Sequence, residues 1–118
     1  MSIIVHHLEN SRSQRILWML EELGLPYAIK RYERNKKTML APPELRQVHP
    51  LGKSPVIEDD GCVVAETGAI VEYLVEKADG RFGPGPHRDS VLRYRHFMHY
   101  AEGSMMPPLL LMLVVNRI

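Results

Sequence analysis

The chain has 118 residues, the size of one domain or of one domain with part of a second. Its 15 basic and 14 acidic side chains leave a net charge of +1, so composition provides no general attraction to nucleic acid or to an anionic membrane. A hydrophobic fraction of 45% is ordinary for a folded protein, and the single cysteine excludes an intrachain disulfide framework, a CxxC redox pair and a cysteine-based zinc site.

The N-terminal sequence lacks the basic segment and long apolar stretch that are typical of a signal peptide. The longest uninterrupted apolar run, Leu109–Val115, is far shorter than the roughly 20 residues that span a bilayer. We therefore expect a cytoplasmic, reducing setting and no membrane partner.

The beginning of the sequence predicts a strand, a helix and a second strand. Residues 1–8 predict a buried strand, because three consecutive β-branched residues lie near its start. Ser11 and Gln14 fit a capping box, which predicts a helix that begins after Ser11 and ends at Gly24. Residues 27–32 predict the next strand.

The following segment predicts a short helix, a hairpin and a longer helix. Two adjacent prolines suit the first turn of a short helix within residues 41–49. Apolar runs at 55–58 and 62–65 flank the DDG turn at 59–61, which is typical of a β-hairpin. Residues 66–77 have helical periodicity. The order βαβαββα predicts an α/β domain with a mixed four-stranded sheet and helices on both faces.

The composition changes after residue 77. Residues 78–88 contain three glycines and two prolines, which predicts an interdomain linker. Residues 89–106 resume helical spacing, and the two prolines at 107–108 are expected to kink or break that helix. We therefore expect a first domain at 1–77 and the first, incomplete helix of an all-helical domain at 89–118.

Three groups of residues at predicted strand ends suit a peptide-like anion. The Ser11 hydroxyl, beside the amides that open a helix, can donate to a thiolate, or it can serve only as a cap. The Ser54–Pro55 bond precedes a strand, and a cis bond there would turn the Ser54 backbone toward a ligand. At the start of the third helix, Glu66 suits an ammonium group and the amides near Thr67 suit a carboxylate, although capping is the alternative role.

The sequence resembles the thioredoxin-like N-terminal domain of glutathione S-transferases, in particular serine-type members of a bacterial and fungal subgroup. The resemblance is carried by SRSQRILWMLEELGLPY at 11–27, HPLGKSPVIEDDG at 49–61 and AETGAIVEYL at 65–74, in the family's order and spacing. HFMHYAEGSMMPPLL at 96–110 resembles the first helix of the family's all-helical second domain.

The resemblance implies an enzyme in which bound glutathione thiolate attacks a small electrophile, typically in detoxification. Ser11 matches the catalytic serine. Glutathione would be the co-substrate, and no metal would be required. The positions that match the family's glutathione-binding residues are Lys53, Ser54, Pro55, Glu66 and Thr67. The family usually has an aliphatic residue before the proline, but backbone pairing does not depend on that side chain.

Some assignments remain open within this resemblance. Ser13 and Asn10 compete with Ser11 as the thiolate partner, although Ser13, inside the first helical turn, is expected to point elsewhere. One of the basic side chains in a solvated loop could approach the glycine carboxylate of glutathione, and the choice among them is open: Arg34, Lys36 or Lys37.

Two other functions share this fold. The alternatives are a non-catalytic interaction module and a glutathione-dependent peroxidase or reductase, while a glutaredoxin-like enzyme would need a cysteine at position 11. We expect a homodimer formed through the third and fourth helices, with Leu109–Val115 covered by a neighbouring chain or by the first domain, or poorly ordered. Cys62 and Trp18 are expected to pack as ordinary apolar residues. His96 and His99 share a helix face without a third metal ligand in view.

Overall fold

The computed structural model describes residues 3–118, so Met1 and Ser2 of the first predicted strand lie outside the described residues. The chain divides into two compact units, and the division falls between Arg81 and Phe82. The elements of the first unit are β1 (Ile3–Leu8), α1 (Ser13–Leu23), β2 (Tyr27–Tyr32), α2 (Leu45–Val48), β3 (Val56–Asp59), β4 (Cys62–Ala65) and α3 (Thr67–Lys77). The second unit contains α4 (Arg88–Tyr100), a π-helical turn (Ala101–Met105) and α5 (Met106–Asn116).

The four strands form one mixed sheet in the order β2-β1-β3-β4. Strand β1 is parallel to β2 and antiparallel to β3, and β3 and β4 form the predicted antiparallel hairpin. Helices cover both faces of the sheet, which confirms the predicted α/β architecture. The parallel pair requires the α1 crossover, because a tight turn can join only antiparallel strands.

The main core lies between one face of the sheet and the helices α1 and α3. Its members are apolar side chains from two strands and two helices: Ile3, Val5, Ile16, Leu20, Leu23, Ile57, Ile70 and Leu74. A smaller cluster on the opposite face joins the sheet to α2 through Leu8, Tyr32 and Leu45. The alternation of strand side chains explains this division, because Ile3 and Val5 face one side and Leu8 faces the other.

Helix α1 ends where the sequence predicts. Gly24 adopts a left-handed conformation with φ of 69°, and its amide donates to the Glu21 carbonyl while the Leu25 amide donates to the Leu20 carbonyl. This is the Schellman arrangement, which favours glycine. The expectation that Trp18 packs in the core is wrong, because its side chain is 69% exposed and donates to Glu22.

A buried carboxylate connects β3 to α3. Asp59 is 5% exposed, and its Oδ2 accepts a bond of 2.6 Å from the Tyr73 hydroxyl and one of 2.7 Å from Lys77 Nζ. The bonds from Lys77 and Tyr73 hold the pKa of Asp59 below its ordinary value of 3.8. The same contact with Asp59, together with burial, raises the pKa of Tyr73 to about 12. The charged form of Asp59 is therefore part of the folded structure.

The second unit explains how its two prolines are accommodated. Pro107 and Pro108 lie in the first turn of α5, a position that favours proline, directly after a π-helical turn. The Met106 amide donates to the Ala101 carbonyl across that turn, so the helical path continues up to the prolines. The preceding turn, Ala101–Met105, widens to π geometry, which is a known way to interrupt an α-helix without ending it. The side chains of Leu109–Val115 are 46 to 63% exposed.

Among residues 3–118, no helix combines the length and the apolar character that are needed to cross a membrane.

We predict that Lys77→Met lowers the free energy of unfolding by about 2 kcal/mol, because it leaves a buried carboxylate without its cationic partner. Urea unfolding at neutral pH measures the change. Lys36→Met, in an exposed loop, is the control and should change stability by less than about 0.5 kcal/mol. Equal effects of the two substitutions would contradict the structural importance of the Asp59 contact.

The same contact predicts a pH dependence. Because folding lowers the pKa of Asp59 below 3.8, its stabilising contribution is complete above that pH and is lost as the pH falls through the folded-state pKa. The stability difference between wild type and Asp59→Asn should therefore shrink in acid.

Candidate functional site

The register of the sheet brings the three predicted binding groups to the same end of strands β1, β3 and β4, which forms one edge of the sheet. His6 on β1 is paired with Val56 on β3, and Val56 is paired with Ala65 on β4. The end of β1, the start of β3 and the end of β4 therefore lie side by side. Ser11 follows the first of these ends, Ser54 precedes the second, and Glu66 follows the third.

Ser11 lies in the turn between β1 and α1. The helix begins at Ser13 with Arg12 at the N-cap position. The predicted N-cap of the capping box, Ser11, therefore lies one residue before the observed N-cap. Ser11 Oγ nevertheless accepts a bond of 3.2 Å from the Ser13 amide, which satisfies one donor of the first turn. Its side chain is half-buried, so the hydroxyl combines a capping contact with access from outside.

The Ser13 side chain points toward Ser11, contrary to the expectation from its position in the first helical turn. Its side chain is fully buried, and its Oγ lies 2.6 Å from Ser11 Oγ, 2.7 Å from His7 Nδ1 and 3.3 Å from the Leu8 carbonyl oxygen. Burial makes Ser13 a poorer candidate than Ser11 for direct contact with a ligand. Ser13 is instead the direct neighbour that supports the Ser11 hydroxyl.

Ser54 has a structural role that its sequence position did not reveal. Its hydroxyl donates to the His6 carbonyl at 2.8 Å and accepts from the Leu8 amide at 3.3 Å. The His6 carbonyl belongs to the last β1–β3 pair and the Leu8 amide lies two residues beyond it, so the side chain adds hydrogen bonds where the backbone pairing stops. The Ser54–Pro55 peptide bond is cis, as predicted, and Pro55 is buried.

A close backbone approach supports the loop before Ser54. Gly52 has φ of 61°, and a Cβ at this position would lie 2.6 Å from Cγ of Arg46 on α2. Glycine therefore allows the Arg46 side chain to lie against the loop. The neighbouring Lys53 is exposed, so its ammonium group is accessible to a ligand at this edge.

Glu66 is held in an unusual backbone conformation. Its φ of 79° and ψ of 128° lie outside the regions that residues with a Cβ normally adopt, and such a conformation costs about 1–3 kcal/mol. Within residues 3–118 its side chain makes no capping bond to α3, which removes the capping explanation. Thr67 is buried at the first position of the helix, and the exposed Glu66 carboxylate remains available to a cation.

Arg34 braces the turn that contains Ser11. Its guanidinium donates to three backbone carbonyl oxygens, those of Glu9, Asn10 and Met39, at 3.0 to 3.1 Å. This use of its donors makes Arg34 a support of the loop, whereas Lys36 and Lys37 are exposed.

Asn10 is constrained by the same turn. It has φ of 56°, a left-handed conformation that asparagine tolerates better than most residues, and its carbonyl accepts from Arg34. The Asn10 backbone therefore shapes the turn, while Ser11 presents the half-buried hydroxyl.

The remaining chemically reactive residues lie outside this cluster. Cys62 is exposed on the edge strand β4, so the expectation that it packs as a small apolar residue is wrong. His6 is 2% exposed and bonded to Tyr32 and Glu58, on the opposite face of β1 from His7. Over residues 3–118, no three His, Cys, Asp or Glu side chains are placed to hold a metal ion.

Comparison with known proteins identifies the same region. The sequence profile of the family described as glutathione S-transferase, N-terminal domain, matches residues 11–77. A curated protein of Schizosaccharomyces pombe, glutathione S-transferase 3, is 48% identical over 106 residues, which cover 89% of this chain and 43% of that protein. The chain spans about half the length of the curated relatives it matches.

Solved structures agree with this comparison. A glutathione S-transferase from Actinobacillus pleuropneumoniae is 41% identical, with a TM-score of 0.86, over 98% of this chain and 54% of that one. A glutathione transferase family member from Pseudomonas fluorescens, with two glutathione molecules bound, is 26% identical with a TM-score of 0.72, over 90% of this chain and 48% of that one.

We predict that Ser54→Ala destabilises the fold by about 1 to 2 kcal/mol, because the His6 carbonyl and the Leu8 amide of β1 each lose a hydrogen bond. Ser54→Thr retains the hydroxyl and is the matched control. Urea unfolding measures both variants. If the Ser54→Ala and Ser54→Thr variants have the same free energy of unfolding, the Ser54 hydroxyl does not stabilise the end of the ladder.

Proposed function

Because the chain belongs to the glutathione S-transferase family, we propose that it binds glutathione at the sheet edge formed by Ser11, Ser54 and Glu66 and activates its thiol. The observation that carries this proposal is the register of β1, β3 and β4, which aligns these three residues in the order in which a peptide would meet them.

The dimensions of the edge fit an extended tripeptide. Two strand spacings separate β1 from β4, which is about 10 Å. Three residues of extended chain also reach about 10 Å. A glutathione molecule whose cysteine lies near Ser54 can therefore extend its γ-glutamyl group toward Glu66 while its sulfur approaches Ser11.

Each end of the peptide meets a suitable charge. The Glu66 carboxylate would pair with the γ-glutamyl ammonium group, and the first amides of α3, beside Thr67, would bind the γ-glutamyl carboxylate. Lys53 would bind near the glycine carboxylate, with Lys36 or Lys37 as further bases. The strained conformation of Glu66 supports this role, because such strain occurs mainly at functional positions.

The hydroxyl of Ser11 together with the start of α1 would be sufficient to activate the thiol. Lowering a thiol pKa from about 8.5 to about 6.5 requires about 2.7 kcal/mol of preferential thiolate stabilisation. One hydrogen bond to a charged group contributes about 1.5–3 kcal/mol, and the start of α1 adds about 0.3–1 kcal/mol. The reaction that follows is nucleophilic attack of the thiolate on a small electrophile, the chemistry expected of a detoxifying transferase.

A cytoplasmic setting suits the exposed thiol of Cys62, since thiols are kept reduced there.

A non-catalytic interaction module is the alternative function. Such a module need not bind glutathione, which separates the two functions experimentally.

The central prediction concerns Ser11. Wild type should bind glutathione in a calorimetric titration and lower the thiol pKa, measured from the ultraviolet absorbance of the thiolate. Ser11→Ala should raise that pKa by about one to two units, because one charge-assisted bond is lost. Ser11→Thr retains the hydroxyl and should stay close to wild type.

Two results would contradict the proposal. If wild type shows no heat of glutathione binding, the interaction module is favoured. If glutathione binds but the thiolate titrates identically in wild type and Ser11→Ala, the thiolate partner is a different residue.

The strained backbone of Glu66 allows its effect on stability to be separated from its effect on binding. Glu66→Gly should raise the free energy of unfolding by about 1 kcal/mol, because glycine adopts the observed conformation without steric cost. The same change should weaken glutathione binding about tenfold or more through loss of the carboxylate. Glu66→Gln is the control: it retains the strain, so binding should weaken without a gain in stability. Tight binding by both variants would exclude contact between Glu66 and the ammonium group.

We also propose that the chain forms a homodimer that involves α3 and α4. The exposed apolar side chains of Leu109–Val115 provide an additional driving force of about 25 cal/mol for each Å² that a second copy covers. Leu111→Glu should weaken association in sedimentation equilibrium at micromolar concentration. Trp18→Gln, which changes an equally exposed apolar residue on α1, is the control. A wild-type chain that sediments as a monomer would reject association.

A further inference from the structure

A chain of three side chains extends from β1 to the proposed thiolate site. His7 Nδ1 lies 2.7 Å from Ser13 Oγ, and Ser13 Oγ lies 2.6 Å from Ser11 Oγ. Ser13, the middle member, is fully buried, so water does not substitute for its partners. Both distances are short enough that a hydrogen must lie between each pair of atoms.

The hydrogens of this chain can be arranged in two directions. If His7 Nδ1 has no hydrogen, Ser13 must donate to it, and Ser11 must then donate to Ser13. The Ser11 hydrogen is then used internally, and only lone pairs of Ser11 face the ligand. A thiolate at that position would be repelled by them.

If His7 Nδ1 carries a hydrogen, the direction reverses. His7 donates to Ser13, and Ser13 donates to Ser11. Ser11 Oγ then accepts from both the hydroxyl and the amide of Ser13, at 2.6 and 3.2 Å, and these two bonds occupy both of its lone pairs. The Ser11 hydrogen must therefore point away from Ser13, where it can be donated to an anion.

The Leu8 carbonyl competes with Ser11 for the Ser13 hydrogen. It lies 3.3 Å from Ser13 Oγ, the longest of the three contacts, and a carbonyl can only accept. A Ser13 hydroxyl that donated to Leu8 would have to accept from Ser11 across the 2.6 Å contact, and the Ser11 hydrogen would then be used internally. The Ser11 hydrogen is free for a thiolate only when His7 Nδ1 donates to Ser13 and Ser13 donates along the shorter contact to Ser11.

We propose that His7 is a positioning residue, which donates its Nδ1 hydrogen to Ser13 and thereby directs the Ser11 hydroxyl toward the sulfur of glutathione. This inference rests on the proposed function. His7 need not touch glutathione, and its effect passes through Ser13. The neighbouring His6 cannot replace it, because its ring is bonded to Tyr32 and Glu58 on the other face of the sheet.

The experiment compares the thiol pKa of bound glutathione in wild type, His7→Phe and His7→Asn. Phenylalanine retains an aromatic ring but cannot donate, so the pKa should rise by about one unit, a tenfold fall in thiol ionisation. Asparagine has an amide nitrogen on Cγ, as Nδ1 is in histidine, and should restore most of the wild-type value. His87→Phe, at an exposed position, is the control and should have no effect.

A double variant tests whether the effect passes through Ser13. Ser13→Ala should raise the pKa as His7→Phe does, and the two substitutions together should raise it no further, because both interrupt the same chain. Additive effects would show that His7 acts independently of Ser13 and would overturn the proposal. Circular dichroism establishes that each variant is folded.

Nitrogen-15 NMR of the wild-type complex with glutathione, above the thiol pKa, reports the protonation of His7 directly. A hydrogen on Nδ1 is expected, and an unprotonated Nδ1 would overturn the inference. A wild-type chain that does not lower the thiol pKa would instead reject the proposed function. Normal activation in both wild type and His7→Phe would reject the role of His7 alone.

Discussion

The position of β1 between a parallel and an antiparallel neighbour is the constraint on which the rest of the structure depends. Its pairing with β3 and, through β3, with β4 places three loop–strand junctions at one edge of the sheet. A shift of one residue would move the core side chains of β1 to the opposite face and separate His7 from Ser13. The buried core and the candidate site are thus specified by the same register.

Where the backbone pairing of the sheet ends, side chains hold the main chain in place through hydrogen bonds. The Ser54 hydroxyl bonds to β1 where the β1–β3 ladder ends, Arg34 holds the turn after β1 through the Glu9 and Asn10 carbonyls, and Ser13 joins that turn to the strand. These contacts leave Ser11 and Glu66 accessible on a rigid support. Such an arrangement suits a site that must stabilise charge without reorganising when the ligand binds.

The second unit shows how one helical path can contain two adjacent prolines. The π-helical turn at Ala101–Met105 precedes them, and the prolines lie in the first turn of α5, a position that favours proline. A single helix cannot bury its own apolar side chains, so those of α5 stay exposed unless another segment packs against them. This is why its exposed surface enters the proposal of self-association.

Local sequence was sufficient for the succession of strands and helices along the chain, the hairpin turn and the end of α1, because these depend on periodicity and on residues such as Gly24 that permit particular backbone angles. The resemblance to a family supplied the proposed roles of Ser11, Ser54 and Glu66. Spacing along the chain could not show that Trp18 is exposed, that Ser54 bonds to β1, or that Ser13 links His7 to Ser11. Those facts depend on which segments meet when the sheet forms, and the hydrogen bonds between Ser54 and β1 join residues 46 and 48 positions apart in sequence.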